Sequence, residues 1–176
     1  TVILFFNQAF LEAVPKKLSQ WQVIVKKNGF TLSESTQKYT LINSLFSDGA
    51  SKYRTISLPS GKVMTYKKNG IFKFPIGTVV TKTFMYNKNI LNKRLYHLSG
   101  IFENNHTIET RILHLTSKGW RAYPYVWLED QSDAILTPRG STKQLSVTIK
   151  NKIKNFVYKT PNINQCKMCH THYEGF

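Results

Sequence analysis

Residues 111–127, RILHLTSKGWRAYPYVW, are the stretch that decides the fold. Apolar, β-branched and aromatic residues run on both sides of a Ser-Lys-Gly turn at residues 117–119. Side chains that project alternately to two faces are typical of β-strands, and a glycine in the connection permits the positive φ of a tight turn. The stretch therefore predicts two antiparallel strands joined by a hairpin.

Three further stretches repeat this kind of pattern. Residues 63–74, VMTYKKNGIFKF, place two runs around an Asn-Gly pair and predict a second hairpin. Residues 77–86, GTVVTKTFMY, predict a central strand. In residues 144–149, QLSVTI, every second position is apolar, so one face of this strand is expected to be buried.

The predicted fold class is mainly β: an antiparallel β-sandwich or barrel-like domain, with a short, partly helical N-terminal lead and an irregular C-terminal tail. The only helical pattern spans residues 7–21 and is interrupted at Pro15, where one turn ends and another begins. We therefore expect a lead at residues 1–45, a β-domain at 46–160 and a tail at 161–176, which together form one structural domain.

The chain is strongly basic, with 25 Lys and Arg against 9 Asp and Glu and a formal net charge of +16. Basic proteins often bind nucleic acid, because cations neutralise phosphates. Here the cations are mostly lysines scattered along the chain, so a solvated surface is favoured over nucleic-acid binding. The charge predicts attraction to acidic partners that weakens as salt rises. No apolar run approaches the roughly 20 residues of a membrane-spanning helix, so no transmembrane segment is expected.

Both cysteines of the chain, Cys166 and Cys169, lie in one cluster that is followed directly by His170. Two cysteines at this spacing serve as a redox dithiol, as half of a metal site or as the attachment point of haem c. A histidine immediately after the second cysteine favours haem c. In that chemistry the thiolates bond the porphyrin while the imidazole ligates iron from the same helical turn.

The other two chemistries stay open with less support. A structural zinc site needs two more ligands, which His172 or the remaining histidines would have to supply. A thioredoxin-like dithiol precedes a helix in a βαβ unit, whereas only a few residues follow this cluster. The remaining histidines, none of them paired at a ligand-like spacing, are His97, His106 and His114.

A series of blocks supports the haem interpretation. They are SLFSDGASKYR (44–54), LPSGK (58–62), GIFKFPIGTVVTKTF (70–84), IETRIL (108–113), GW (119–120), YVWLEDQSDAIL (125–136) and TPNINQCKMCH (160–170). This succession, over about residues 40–170, resembles an uncharacterised bacterial family of exported c-type cytochromes. Members of that family often carry two haem motifs, with a β-rich region before the first.

The resemblance implies thioether bonds from haem c to Cys166 and Cys169, with His170 as the proximal iron ligand. It also implies a periplasmic, secreted or cell-surface location, where the positive charge would serve docking to an acidic redox partner. Family members continue beyond this motif, so we expect a C-terminal cytochrome part to be missing from the chain. The start at Thr1 likewise predicts that an upstream piece, such as a signal peptide, has been removed.

The distal iron ligand is left open by the sequence. A residue of the missing cytochrome part is one source. Methionine and histidine side chains of the chain itself are the other, because both residue types ligate haem iron. The candidates on residue type are Met64, Met85, His97, His106 and His114.

A second candidate site is the acidic stretch that contains Glu129, Asp130 and Asp133. Carboxylates that converge on one pocket can bind calcium or serve as the acid and base of a hydrolase. The favoured interpretation is structural: aromatic residues alternate along residues 123–127 of a strand, and the acids form the solvated turn after it.

Glu109 and Arg111 share a strand face, so they predict a partly buried ion pair that stabilises the sheet. The favoured function is electron transfer through covalently attached haem. The alternative is a haem-free β-sandwich that binds a ligand or a partner protein, with a vestigial Cys-x-x-Cys-His motif. No nucleophile paired with a base, P-loop or dinucleotide fingerprint is present, so the sequence has no enzyme signature.

Overall fold

The computed structural model describes residues 14–43, 45–68, 70, 72–91, 100–149 and 151–170, with the side chains of residues 149, 169 and 170 excepted. This part of the chain is mainly β, as predicted, and its sheets are antiparallel. The elements are a 3-10 helix (Leu18–Trp21), β1 (Ile24–Lys26), β2 (Phe30–Leu32), β3 (Thr36–Tyr39), β4 (Ser51–Ser57), β5 (Thr65–Tyr66), β6 (Phe72–Lys73), β7 (Val79–Asn87), β8 (Asn105–Thr116), β9 (Gly119–Trp127), β10 (Ala134–Leu136), β11 (Ser141–Ile149), β12 (Lys152–Thr160) and α1 (Ile163–His170).

Six strands form the main sheet in the order β10-β9-β8-β7-β4-β3, and every neighbouring pair is antiparallel. The predicted hairpin of residues 111–127 is confirmed, because Thr116 at the end of β8 lies opposite Gly119 at the start of β9. Gly119 has a φ of +88°, which glycine adopts at little cost. The prediction that residues 77–86 contain a central strand is also confirmed by β7. The short β5–β6 hairpin confirms the pairing predicted for residues 63–74.

One face of the main sheet, here called the aromatic face, carries Met85, Ile112, Tyr125 and Trp127. The 3-10 helix and the β1–β2 hairpin cover it and complete a buried apolar cluster. The Phe30 ring packs edge-on against Trp127 with centroids 5.2 Å apart. Burial of several aromatic rings makes this layer the main hydrophobic core, because each removes a large apolar area from water.

The opposite face is covered in two separate places. The β11–β12 hairpin packs Leu145, Val147 and Tyr158 against the Phe84 end of β7. This confirms the predicted one-sided burial at the described positions of QLSVTI. Near the other end of β7, helix α1 packs against Val80. A strip of the sheet is left between these two covers.

The N-terminal lead is partly helical, as predicted, but its described part is less irregular than expected. It contains one 3-10 turn and the three strands β1, β2 and β3. Strand β3 pairs with β4 and so belongs to the main sheet. Residues 7–13 of the predicted helical segment lie outside the described part. Strands of three or four residues are too short for a period-two pattern to distinguish them from loops.

The C-terminal tail also differs, because residues 163–170 form helix α1. The backbone N–H of Gln165 donates to Asn162 Oδ1, and that of Asn162 donates to Gln165 Oε1, both at 2.9 Å. This reciprocal pair is a capping box, which satisfies backbone donors that a helix start leaves free. Within the described residues, no helix is long and apolar enough to cross a membrane.

Candidate functional site

Helix α1 contains the complete Cys-x-x-Cys-His motif. Positions 166, 169 and 170 are related by three and four residues, so they share one side of the helix. The capping box at Asn162 begins the helix one turn before Cys166. A hydrogen bond from the Ile163 N–H to the Pro138 carbonyl, at 3.1 Å, ties the helix to the loop before β11. The motif is therefore held as a helical turn against the β-domain.

Cys166 is buried, with 7% of its surface exposed, in a cluster with Val80, Leu113 and Ala122. Partly buried Tyr39, Ile56 and Trp120 pack against the same cluster. The residue types and spacing of the motif fit haem c. The burial adds a condition: the Cys166 sulfur already packs against the sheet, so a porphyrin edge would have to displace part of this packing to reach it.

The candidate distal ligands do not gather around α1. Met85 belongs to the aromatic face, and His114 stacks edge-on against Trp21 on that face with centroids 5.2 Å apart. The sheet therefore lies between these two side chains and Cys166. Met64 is 41% exposed on the loop before β5, and His106 is buried near the start of β8. His97 and His172 lie outside the described residues.

The three carboxylates of the acidic stretch take part in three different contacts. Glu129 forms an ion pair with Lys143 at 2.7 Å. Asp133 accepts hydrogen bonds from the backbone and hydroxyl of Ser19, at 3.2 and 2.7 Å, and so ties the 3-10 helix to the loop after β9. Asp130 accepts two hydrogen bonds from Ser132. Hydrogen bonding from the Ser132 backbone and side chain lowers the pKa of Asp130.

No group of three or more His, Cys, Asp or Glu side chains that could hold a metal ion is found among the described residues. The contacts of the acidic stretch favour the structural interpretation of its carboxylates. The sequence also marks Gln131 as an acceptor of that loop, and the structure buries it, with only 1% of its surface exposed. Its side-chain oxygen accepts from the N–H and hydroxyl of Thr107 at 2.8 and 2.6 Å. Its amide nitrogen donates to the carbonyls of Thr107 and Leu128.

A second site lies on the strip of sheet between the two covers, and the sequence did not point to it. In the register of β4, β7 and β8, Arg54 lies opposite Lys82, and Lys82 lies opposite Arg111. Residues opposite each other on neighbouring strands share a face, with Cβ atoms about 4.5–5.5 Å apart. These three side chains, here called the cationic row, therefore lie side by side.

The cationic row has one buried acidic neighbour. Glu109, with none of its surface exposed, forms an ion pair with Arg111 through Oε1 and accepts the Arg111 Nε–H at 2.7 Å. Tyr158 of β12 donates its hydroxyl hydrogen to the same oxygen at 3.0 Å. The predicted ion pair of Glu109 and Arg111 is confirmed. Burial next to the Glu109 carboxylate raises the pKa of Tyr158.

Lys82 of the cationic row has a lowered pKa. Burial, and then the positive charges of Arg111, Arg54 and Lys52, lower its pKa to about 8, while Glu109 acts in the opposite direction. Its ammonium lies 4.9 Å from the centre of the Phe84 ring, and the Arg111 guanidinium lies 4.4 Å from the same ring. The π-face of Phe84 offsets part of the repulsion between these cations.

Two polar atoms near this row lack a partner in the described part of the chain. Arg54 is 7% exposed, and its Nη2 atom is buried without a hydrogen-bond acceptor. The second carboxylate oxygen of Glu109 is also buried and unpartnered. A cleft of ≈ 360 Å³ lies at the Arg111 end of the row and is lined by Asp48, Phe84, Arg111, Tyr158 and Lys159 among others, whereas Arg54, Lys82 and Glu109 are not among its lining residues.

Each strand of this strip does carry a sequence signal. One cation lies within each of the uncharged runs YRTIS (53–57), VVTKTF (79–84) and TRIL (110–113). A sequence pattern does not reveal which of these cations meet, because that depends on the pairing register. The three cations therefore form one site only in the observed register of β4, β7 and β8.

Comparisons with protein-family models, with curated proteins and with solved structures find no match to this chain.

Proposed function

We propose that this chain carries covalently attached haem c and takes part in electron transfer. The supporting observation is the placement of the whole Cys-x-x-Cys-His motif in one capped helix, with positions 166, 169 and 170 on one side of it. Cys166 and Cys169 would form the thioethers, and His170 would ligate the iron as the proximal ligand.

When bound, the haem would supply a one-electron carrier whose potential depends on its axial ligands and on the burial of the ring. The contribution of the chain is to hold the motif in a helical turn and to surround Cys166 with apolar side chains. The net charge of +16 would accelerate encounter with an acidic redox partner, since opposite charges increase association rates more than affinity. The proposal places the protein in the periplasm or at the cell surface.

The test is an absorption spectrum of the protein from a host that attaches haem c, recorded in alkaline pyridine after reduction with dithionite. We expect a sharp α-band of thioether-linked haem that persists through acid-acetone extraction. Cys169→Ala should lose one thioether and shift the band. Met168→Ala is the matched control, because Met168 lies in the same helix and is 83% exposed. A folded protein without bound haem would overturn the proposal.

A haem-free binding module is the second candidate function. The burial of Cys166 among apolar residues favours it, because this contact lets α1 cover the sheet without any cofactor. In this case the protein would be colourless and folded, and Cys166 would react with a thiol reagent much more slowly in native buffer than in denaturant. Haem attachment would contradict this candidate. A calcium site or a hydrolase at Glu129, Asp130 and Asp133 is favoured by no observation, since these carboxylates hold separate partners.

A further inference from the structure

The strip between α1 and the β11–β12 hairpin carries more positive than negative charge. Lys52 and the cationic row supply four cations that act on one another. Two carboxylates lie nearby, those of Glu109 and Asp48, and Asp48 acts on Lys52. With Lys159 of the neighbouring cleft, five cations therefore lie near two carboxylates. Like charges placed side by side on neighbouring strands are destabilising, so the isolated sheet gains nothing from this arrangement.

The neighbouring carboxylates do not satisfy all the hydrogen-bond donors of the cationic row. Glu109 directs one oxygen to Arg111 and Tyr158, and among the described residues neither Arg54 nor Lys82 forms an ion pair. Arg54 keeps a buried Nη2 donor without an acceptor. A buried charged donor that lacks an acceptor costs more than an ordinary missed hydrogen bond. A bound anion would remove this cost.

We propose that the cationic row is a binding site for a dianionic oxyanion, namely the phosphate group of a small molecule or free phosphate. A dianion is favoured over a monoanion because the cations of the strip and its cleft outnumber the carboxylates. Arginine guanidinium groups bind phosphate oxygens in pairs, and a lysine ammonium adds a point charge. A cleft of ≈ 360 Å³ at the Arg111 end of the row has the size of a small-molecule site, and its lining includes Arg111, Lys159, Tyr158 and the single acidic residue Asp48.

The site is independent of haem attachment, because none of its residues belongs to α1. The apolar clusters under the two covers do not include Lys82, whose charge an apolar cover would bury without a partner. The burial of Arg54 also distinguishes the cationic row from an ordinary basic surface. Surface lysines are solvated, whereas Arg54 is held at 7% exposure within the sheet.

The test is isothermal titration of the whole chain with inorganic phosphate, sulfate and phenyl phosphate, with chloride added to equal ionic strength. We expect saturable binding of one dianion per chain and none of acetate. Tighter binding of phenyl phosphate than of phosphate identifies a phosphorylated small molecule as the ligand, and equal binding identifies free phosphate. Absence of saturable binding by all three dianions overturns the proposal.

Single substitutions test whether phosphate binds at the cationic row. Lys82→Met should weaken phosphate affinity by at least about tenfold, while its unfolding midpoint without anion stays at or above that of the wild type. Lys118→Met is the matched control, since it removes the same charge from the exposed β8–β9 turn and should leave affinity unchanged. Lys159→Met, on the exposed rim of the cleft, should weaken binding without affecting the fold. Equal effects of Lys82→Met and Lys118→Met would mean nonspecific attraction and would overturn the proposal.

Discussion

The hydroxyl of Tyr158 donates a 3.0 Å hydrogen bond to Oε1 of Glu109, a carboxylate that has no exposed surface. The two residues lie on different sheets, β12 of the covering hairpin and β8 of the main sheet. Apolar burial of Leu145 and Val147 holds the hairpin in place without directional preference. The hydrogen bond adds a directional contact, so it contributes to the orientation in which the hairpin covers the sheet.

We therefore expect Tyr158→Phe to lower the free energy of unfolding by about 1–3 kcal/mol, because a charged acceptor loses a buried donor. Urea denaturation followed by circular dichroism measures this change. Tyr66→Phe is the matched control, since Tyr66 is 65% exposed and should tolerate loss of its hydroxyl. Equal stability of the two variants would contradict a stabilising role for the contact.

Gln131→Ala should destabilise the protein by about 1–3 kcal/mol, because it leaves the buried N–H and hydroxyl of Thr107 without an acceptor. The exposed Gln144→Ala variant is the control. Hydrogen exchange offers a second measurement: the Thr107 amide should lose protection in the Gln131 variant and keep it in the control. Unchanged protection at Thr107 would show that the loop does not depend on this side chain.

Two glycines differ in what an added methyl group would meet. Gly140 has a φ of +73°, and a Cβ there would lie 2.5 Å from the Thr160 carbonyl oxygen, whereas a Cβ at Gly119 would meet nothing within 4 Å. Gly119→Ala should therefore cost only about 1 kcal/mol of backbone strain. Gly140→Ala should cost more, because β11 and β12 must also separate at their paired ends. Thermal unfolding midpoints of both variants test this order, and a reversed order would be inconsistent with it.

The lowered pKa of Lys82 predicts that the stability of the fold depends on pH. Burial, with Arg111, Arg54 and Lys52, lowers its pKa from 10.5 to about 8, against the opposite effect of Glu109. Between these two values the unfolded chain binds more protons than the folded chain, so the free energy of unfolding should rise with pH in this window. Bound phosphate would stabilise the charged form, so affinity for phosphate should fall as the pH rises through about 8.

Urea denaturation between about pH 7.5 and 9.5 is the measurement, and Lys82→Met should flatten the rise. The range ends there because buried tyrosines act in the opposite direction at higher pH. Burial raises the pKa of Tyr86 and Tyr125 to about 12, so the folded chain keeps protons that the unfolded chain loses above about pH 10. If Lys82→Met leaves the slope of the unfolding free energy against pH unchanged, the slope arises from other groups.

The hairpins and the central strand could be predicted because their signals are local. Long strands with alternating side chains and a glycine at the turn specify β8 and β9 without knowledge of the rest of the chain. The strands β1, β2 and β3 could not be predicted in this way, because they are short and stable only through tertiary packing of Ile24 and Phe30. Helix α1 could have been found, since the Asn-x-x-Gln spacing of Asn162 and Gln165 marks a capped start.

The sequence by itself determined the longer strands, their hairpin turns and the Cys-x-x-Cys-His spacing, because each follows from residues close together in the chain. Only the tertiary structure decided that Arg54, Lys82 and Arg111 form one row and that Cys166 is buried. The physical reason is register: a shift of one residue in either strand pair would move a cation to the aromatic face, and no local pattern specifies that alignment. The candidate anion site therefore depends on the packing of three strands that are distant in sequence.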